Sequence, residues 1–245
     1  MKALIRILAL PFEDFLSGLD RALGKSAPIN IALIVITFVA VWWVYVPIHE
    51  LCHAFGCMLG GGSVTKLEID PKYGGAALSK LFPFVTSGSE YAGQLTGFDT
   101  GGNDLTYLLT DFFPFLLTIF IGVPLLRSAS RSSPLAASLK LGVSLPIAFA
   151  PFISFSGDYY EMGSIVVSRI ASILDPASGP GRLRSDDLFK LSEKLFFSGN
   201  TYGAGDVIGV VLSFILGVAL IYATYFLGVL FSRLITGGLC HEPAS

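Results

Sequence analysis

Ile31-Ala32-Leu33-Ile34-Val35-Ile36-Thr37-Phe38-Val39-Ala40-Val41-Trp42-Trp43-Val44-Tyr45-Val46-Pro47-Ile48 runs without a charge into His49-Glu50-Leu51-Cys52-His53. An uncharged run of this length is long enough to cross a bilayer as a helix. Ionisable side chains at its end are costly to bury there, so they mark a functional site. On a helix His49 and His53 are i and i+4, share one face and can hold one metal ion. Glu50 projects beside them, where a carboxylate can take a proton from an attacking water.

The composition agrees with a membrane protein. The chain has 245 residues, 53% hydrophobic and 14% charged, too apolar for an ordinary soluble domain. A net charge of -2 offers no basic face for nucleic acid. Three cysteines, Cys52, Cys57 and Cys240, make neither a disulfide framework nor a zinc ribbon. Cys52 and Cys57 read as small hydrophobes on the apolar helix, although Cys57, one turn beyond His53, is placed to be a ligand. Met1 to Leu10 is apolar but short, and Glu13 and Asp14 follow, so a cleavable signal is not expected.

Working outward, residues 1–28 hold an interfacial helix, with Leu4, Ile7, Leu8, Phe12, Phe15 and Leu19 near a 3.6-residue period. The first span then runs from about Ile29 to Leu59, longer than one crossing needs, with Pro47 able to kink it. Gly60-Gly61-Gly62 ends it. Val64 to Ile69 alternates and Asp70-Pro71 turns, which predicts a small β-hairpin within residues 63–82. Further spans are expected at about Leu105 to Leu126, Leu135 to Phe155 and Val207 to Phe231. Between the last two lie an amphipathic helix (Tyr159 to Leu174), a Pro/Gly loop (Pro176 to Gly181) and a short polar helix (Ser185 to Phe197). The expectation is a mainly α, polytopic, multi-pass membrane protein with about four transmembrane helices. It forms a single membrane-embedded domain over 1–245: the interfacial helix, a core at 29–160, and amphipathic helices with a last span at 161–245. Lys and Arg divide eight against eight between the two sides of this topology, so the positive-inside rule assigns no orientation.

A catalytic zinc site takes three protein ligands and keeps an open position. His241, the remaining histidine, falls beyond the last span on the side opposite the motif. The extended motif H-E-x-x-H-x-x-G-x-x-H is met through Gly56, but Leu59 stands where its last His belongs. Glu68 lies in the expected strand. That leaves carboxylates whose depth matches the motif: Asp158 at the end of the third span, Asp111 about two turns into the second, Glu161, and Asp206 at the start of the last. Asp158 follows Pro151-Phe152-Ile153-Ser154-Phe155-Ser156-Gly157, a helix-breaking segment that frees backbone near the site. It is also a good capping position for the helix after it, and the two roles are compatible. Asp111 precedes Pro114, where a buried hydrogen bond is the alternative role; Asp206 reads as a cap.

These residues resemble the site-2 protease family of intramembrane zinc metalloproteases, which carries H-E-x-x-H in one transmembrane helix and an Asp in a later one. The resemblance covers roughly residues 30–160. It implies His49, His53 and Asp158 as zinc ligands, Glu50 as general base, a Zn2+ cofactor, and a transmembrane or membrane-associated protein substrate met within or beside the lipid bilayer. Tyr91-Ala92-Gly93-Gln94-Leu95-Thr96-Gly97 resembles the family's Gly-rich A-G-P-L segment, with Gln94 in place of Pro. The family's N-P-x-P-x-x-D-G segment is absent, since Gly157 precedes Asp158 and Tyr159 follows it. Two other readings stay open: a prenyl-protein type of membrane zinc protease with Glu161 as ligand, and a non-catalytic scaffold that retains the metal site.

Overall fold

The computed structural model describes residues 2–24, 27–174 and 203–237. The expected Pro/Gly loop, the polar helix at 185–197 and His241 lie outside them. The described helices are α1 (Lys2–Leu23), α2 (Ala27–Leu59), α3 (Asp104–Ala129), α4 (Pro134–Ala148), α5 (Ala150–Ser156), α6 (Asp158–Leu174) and α7 (Ala204–Gly237). Three of them, α2, α3 and α7, are long and apolar enough to cross a membrane. A fourth span results if α4 and α5, bent by 43° at their junction, count as one. The chain is an integral, multi-pass membrane protein.

The 33 residues of α2 make a rod about 50 Å long, against a hydrocarbon core of about 30 Å. Its outer face shows why lipid surrounds it: Ile29, Ile36, Val39, Trp43 and Val44 are all more than half exposed. The opposite face packs on α4, where a Cβ on Gly142 would meet Thr37 Cβ at 2.6 Å. Small residues allow such close approach, which in lipid replaces the hydrophobic drive between helices. Gly163 and Gly217 do the same between α6 and α7, where a Cβ on Gly217 would meet the Tyr159 carbonyl oxygen at 2.8 Å.

Prolines shape the helices that approach the motif. Pro151 has no N–H, so it cannot bond to the Ile147 carbonyl four residues back, and the helix breaks at Phe149. The Thr118 hydroxyl donates to that carbonyl at 2.6 Å, so it is satisfied from α3. On the far side of the bundle, α1 is tied down by charge. Arg127 Nη1 donates to both oxygens of Asp14, at 2.9 and 2.6 Å, and Tyr225 Oη donates to Oδ2 at 2.9 Å. The core-facing side of α1, with Phe15, Leu19 and Ala22, packs on Leu141 and Val229, while Ile5, Phe12 and Leu16 stay exposed.

After α2 the chain forms a three-stranded sheet rather than a local hairpin. Strand β1 (Ser63–Ile69) lies between β2 (Val85–Ser87), parallel to it, and β3 (Gly93–Asp99), antiparallel. Asp70-Pro71 does turn the chain, but into a short helical turn. The Asp70 carboxylate accepts from Lys72 N at 2.8 Å, and Gly74 takes φ 83°. A left-handed residue there suits glycine and sends the chain away from β1. Leu67, Ile69 and Val85 then bury against Leu51 and Ala54 of α2, fixing the sheet beside the motif. On the sheet surface Lys66 Nζ donates to Glu68 at 2.8 Å and, with Thr96, holds that carboxyl below its ordinary range.

Candidate metal centre

Tyr45, His49 and His53 occupy successive turns of one face of α2. His53 Nδ1 lies 2.8 Å from the backbone oxygen of Thr110 in α3. A carbonyl oxygen only accepts, so Nδ1 carries the hydrogen and Nε2 presents its lone pair. His49 Nδ1 lies 3.0 Å from Tyr45 Oη. In both rings the distal nitrogen thus faces the same point, and the two Nε2 atoms are 3.2 Å apart.

Asp158 closes the third side. Its Oδ2 lies 3.6 Å from His49 Nε2 and its Oδ1 3.8 Å from His53 Nε2. It is the first residue of α6: the Gly157 carbonyl accepts the first helical bond, from Glu161 N at 2.9 Å. The carboxylate therefore sits at a helix N-terminus as well as against the imidazoles, which favours its charged form in place. Among the described residues, His49, His53 and Asp158 are the one group of three or more His, Cys, Asp or Glu whose ligand atoms lie within 4.8 Å of one another. The donor set fits zinc. At zinc–nitrogen lengths of about 2.0–2.1 Å, two imidazoles on one tetrahedral ion stand a little over 3 Å apart, as these do. Two histidines and one carboxylate also leave a fourth position open.

The three converge on a cavity of about 470 Å3. Glu50, Asp111 and Glu161 line it too, as do Gly93 to Thr96 of β3. Glu50 is held by the sheet: a Cβ on Gly93 would overlap its Cγ and lie 2.8 Å from its Cδ. Gly93→Ala is therefore expected to displace the Glu50 side chain while the capacity of the His-His-Asp cluster to bind a metal ion stays unchanged. A structure of the variant and its metal content, measured on the same preparation, check this.

The other candidates separate clearly. Asp111 is buried on the cavity wall, outside the cluster. Glu161, one turn beyond Asp158, accepts from the Tyr107 hydroxyl. Asp206 Oδ2 accepts from Gly203 N at 3.0 Å, a capping role at the start of α7. Cys57 is buried with its thiol 3.7 Å from the Ser63 carbonyl, and Glu68 pairs with Lys66; neither joins the cluster. A second recess of about 150 Å3 shares His49, Glu50 and Ser154 with the cavity and is otherwise apolar, with Trp42, Val46 and Ile153 in its walls.

Reading the residues alone did not single out Tyr45 or the Thr110 carbonyl. Both partners orient metal-facing imidazoles through the opposite ring nitrogen, a role whose loss typically weakens metal binding by about 10–100-fold. Tyr45→Phe is expected to weaken zinc by that factor, read by competition with a chelator of known affinity. The i, i+4 spacing of Tyr45 and His49 is the signal that was available for the first; for the second it was Pro114.

Residues 27–89 match the Peptidase M50B-like family. This supports the resemblance to the site-2 proteases, and with the His-His-Asp cluster it supports a membrane metallopeptidase. The M50B-like segment takes in α2, β1 and β2, and so His49, Glu50 and His53, and ends before Asp158. No curated protein and no solved structure gave a match.

Proposed function

We propose that the protein is a zinc-dependent peptidase that hydrolyses a peptide bond in a transmembrane or membrane-proximal segment of a protein substrate. The observation that carries this reading is the facing of two Nε2 atoms, 3.2 Å apart, on Asp158 at 3.6 and 3.8 Å, with Glu50 on the same cavity. His49, His53 and Asp158 would hold the ion. Zinc, when bound, supplies Lewis acidity that polarises a carbonyl oxygen and acidifies water towards a pKa of about 7. Glu50 accepts the proton of the attacking water as the carbon–oxygen bond forms. It returns that proton to the leaving amine as the carbon–nitrogen bond breaks.

Two features favour an extended substrate that comes from the bilayer. Among the described residues β3 pairs only with β1, so its outer edge, which lines the cavity, can take an added strand. A peptide unwound in this way exposes the backbone that a helix shields. The apolar recess beside Glu50 suits the apolar side chains of such a segment.

The test is metal content. Purified protein is expected to carry close to one zinc per chain, and His53→Ala to lose most of it. Equal zinc in a variant with both His49 and His53 replaced by Ala would overturn the proposal.

A further inference from the structure

Pro114 stands four residues after Thr110, in the irregular turn Phe113–Phe115 of α3. In a regular helix the N–H of residue 114 bonds to the carbonyl of residue 110. Proline has no N–H to give. The Thr110 carbonyl instead takes the Nδ1 hydrogen of His53 at 2.8 Å, a buried contact between α2 and α3. On the reading of His53 as a metal ligand, we infer that Pro114 is a positioning residue of the metal centre: it withholds the helical donor and leaves that carbonyl to fix the tautomer and ring plane of His53.

Three neighbouring features support the assignment. The Thr110 hydroxyl is turned back to the Thr106 carbonyl at 2.8 Å, so it does not compete for its own residue's oxygen. The approach of the helices is close enough to hold the contact: a Cβ on Gly56, one turn from His53, would meet the Leu109 carbonyl oxygen at 2.5 Å and Phe113 Cβ at 2.6 Å. Pro151 makes the parallel case in α5, where the carbonyl that it leaves is taken by Thr118 from another helix. In lipid a freed carbonyl needs a donor from elsewhere. At Thr110 that donor is the ring of a metal-facing histidine.

The experiment uses the full chain in detergent, with zinc alone as the probe and a chelator series to read affinity. Pro114→Ala restores the N–H. It is expected to weaken zinc by about 10–100-fold, the usual cost of losing the group that orients a ligating imidazole. Its melting temperature should hold or rise, because alanine in place of proline inside a helix ordinarily stabilises it. Pro146→Ala, a proline inside α4 and outside both cavity linings, serves as control and should leave zinc affinity unchanged. An α-hydroxy acid at position 114, which again lacks the N–H but has no ring, should return affinity to within a few-fold of wild type. Unchanged affinity in Pro114→Ala while wild type binds zinc overturns this inference alone. Wild type that binds no zinc overturns the metal reading and this inference with it. Equal losses in both proline variants, a fall in melting temperature parallel to the loss of zinc, or failure of Pro114→Ala and Pro114→Gly to fold would each assign Pro114 to the fold and not to the site.

Discussion

Glu50→Gln is expected to abolish peptide cleavage and to leave zinc content at the wild-type level. The amide keeps the shape of the carboxylate, so the seat against Gly93 is still filled. What is lost is the ability to accept a proton. A positioned general base contributes about 100- to 10,000-fold, and Glu50, seated next to the His-His-Asp cluster, should lie at the upper end. Glu50 is about 100° round the helix from His49, off the face that carries the two ligands, so its neutralisation does not remove a ligand. Turnover of a membrane peptide, measured beside zinc by elemental analysis, decides it. Activity retained in the variant would remove Glu50 from the chemistry and favour a scaffold that keeps its metal.

The second large effect is expected at Asp158. Asp158→Asn should lose both zinc and activity, since the carboxylate supplies the negative charge that two neutral imidazoles lack. Asparagine keeps the position at the start of α6 and still suits a helix N-terminus, so the fold should survive. Asp111→Asn is the comparison. That residue lines the same cavity but lies outside the cluster, so zinc should stay bound, and a change in a buried polar group should cost about 1–3 kcal/mol of stability. Metal content and melting temperature of the two variants separate the roles. Loss of metal only on changing Asp111 would mean that the third ligand has been assigned to the wrong helix.

The parts of this arrangement that could be read from sequence are those encoded by neighbours. An uncharged run ending in two histidines at i and i+4 gives both the helix and the paired ligands, because one helix carries all of that information. Asp158 was readable as far as depth and a helix break could take it. Asp111 and Glu161 share the depth, and only the placement of the Asp158 carboxylate against His49 and His53 separates them. The sheet was misjudged for a similar reason. Asp70 and Pro71 mark a real turn, but the antiparallel partner of β1 begins at Gly93, after β2 has already paired on the other side. Burial against Leu51 and Ala54 selects that arrangement, and a local alternation of side chains does not report it. Pro114 marks the Thr110 carbonyl as one without its helical donor, but only its spatial neighbour, His53, gives that carbonyl a task.

The 43° elbow between α4 and α5 gives the centre an uneven mechanics. His49 and His53 ride on one stiff rod, α2. Asp158 follows the short arm α5, which leaves the bend at Phe149, and begins α6, which rests on α7. The seven residues from Ala150 to Ser156 span about 10 Å, so a swing of about 5° moves the tip by about 0.9 Å. A metal centre needs its groups held to about 0.5 Å, so a displacement of that size would be felt there. The splint is the Thr118–Ile147 bond at the pivot, reinforced where a Cβ on Gly122 would meet Ala148 N at 2.6 Å. The placing of Asp158 thus depends on two joints: this one, about 10 Å away, and the close seat of Tyr159 on Gly217 of α7.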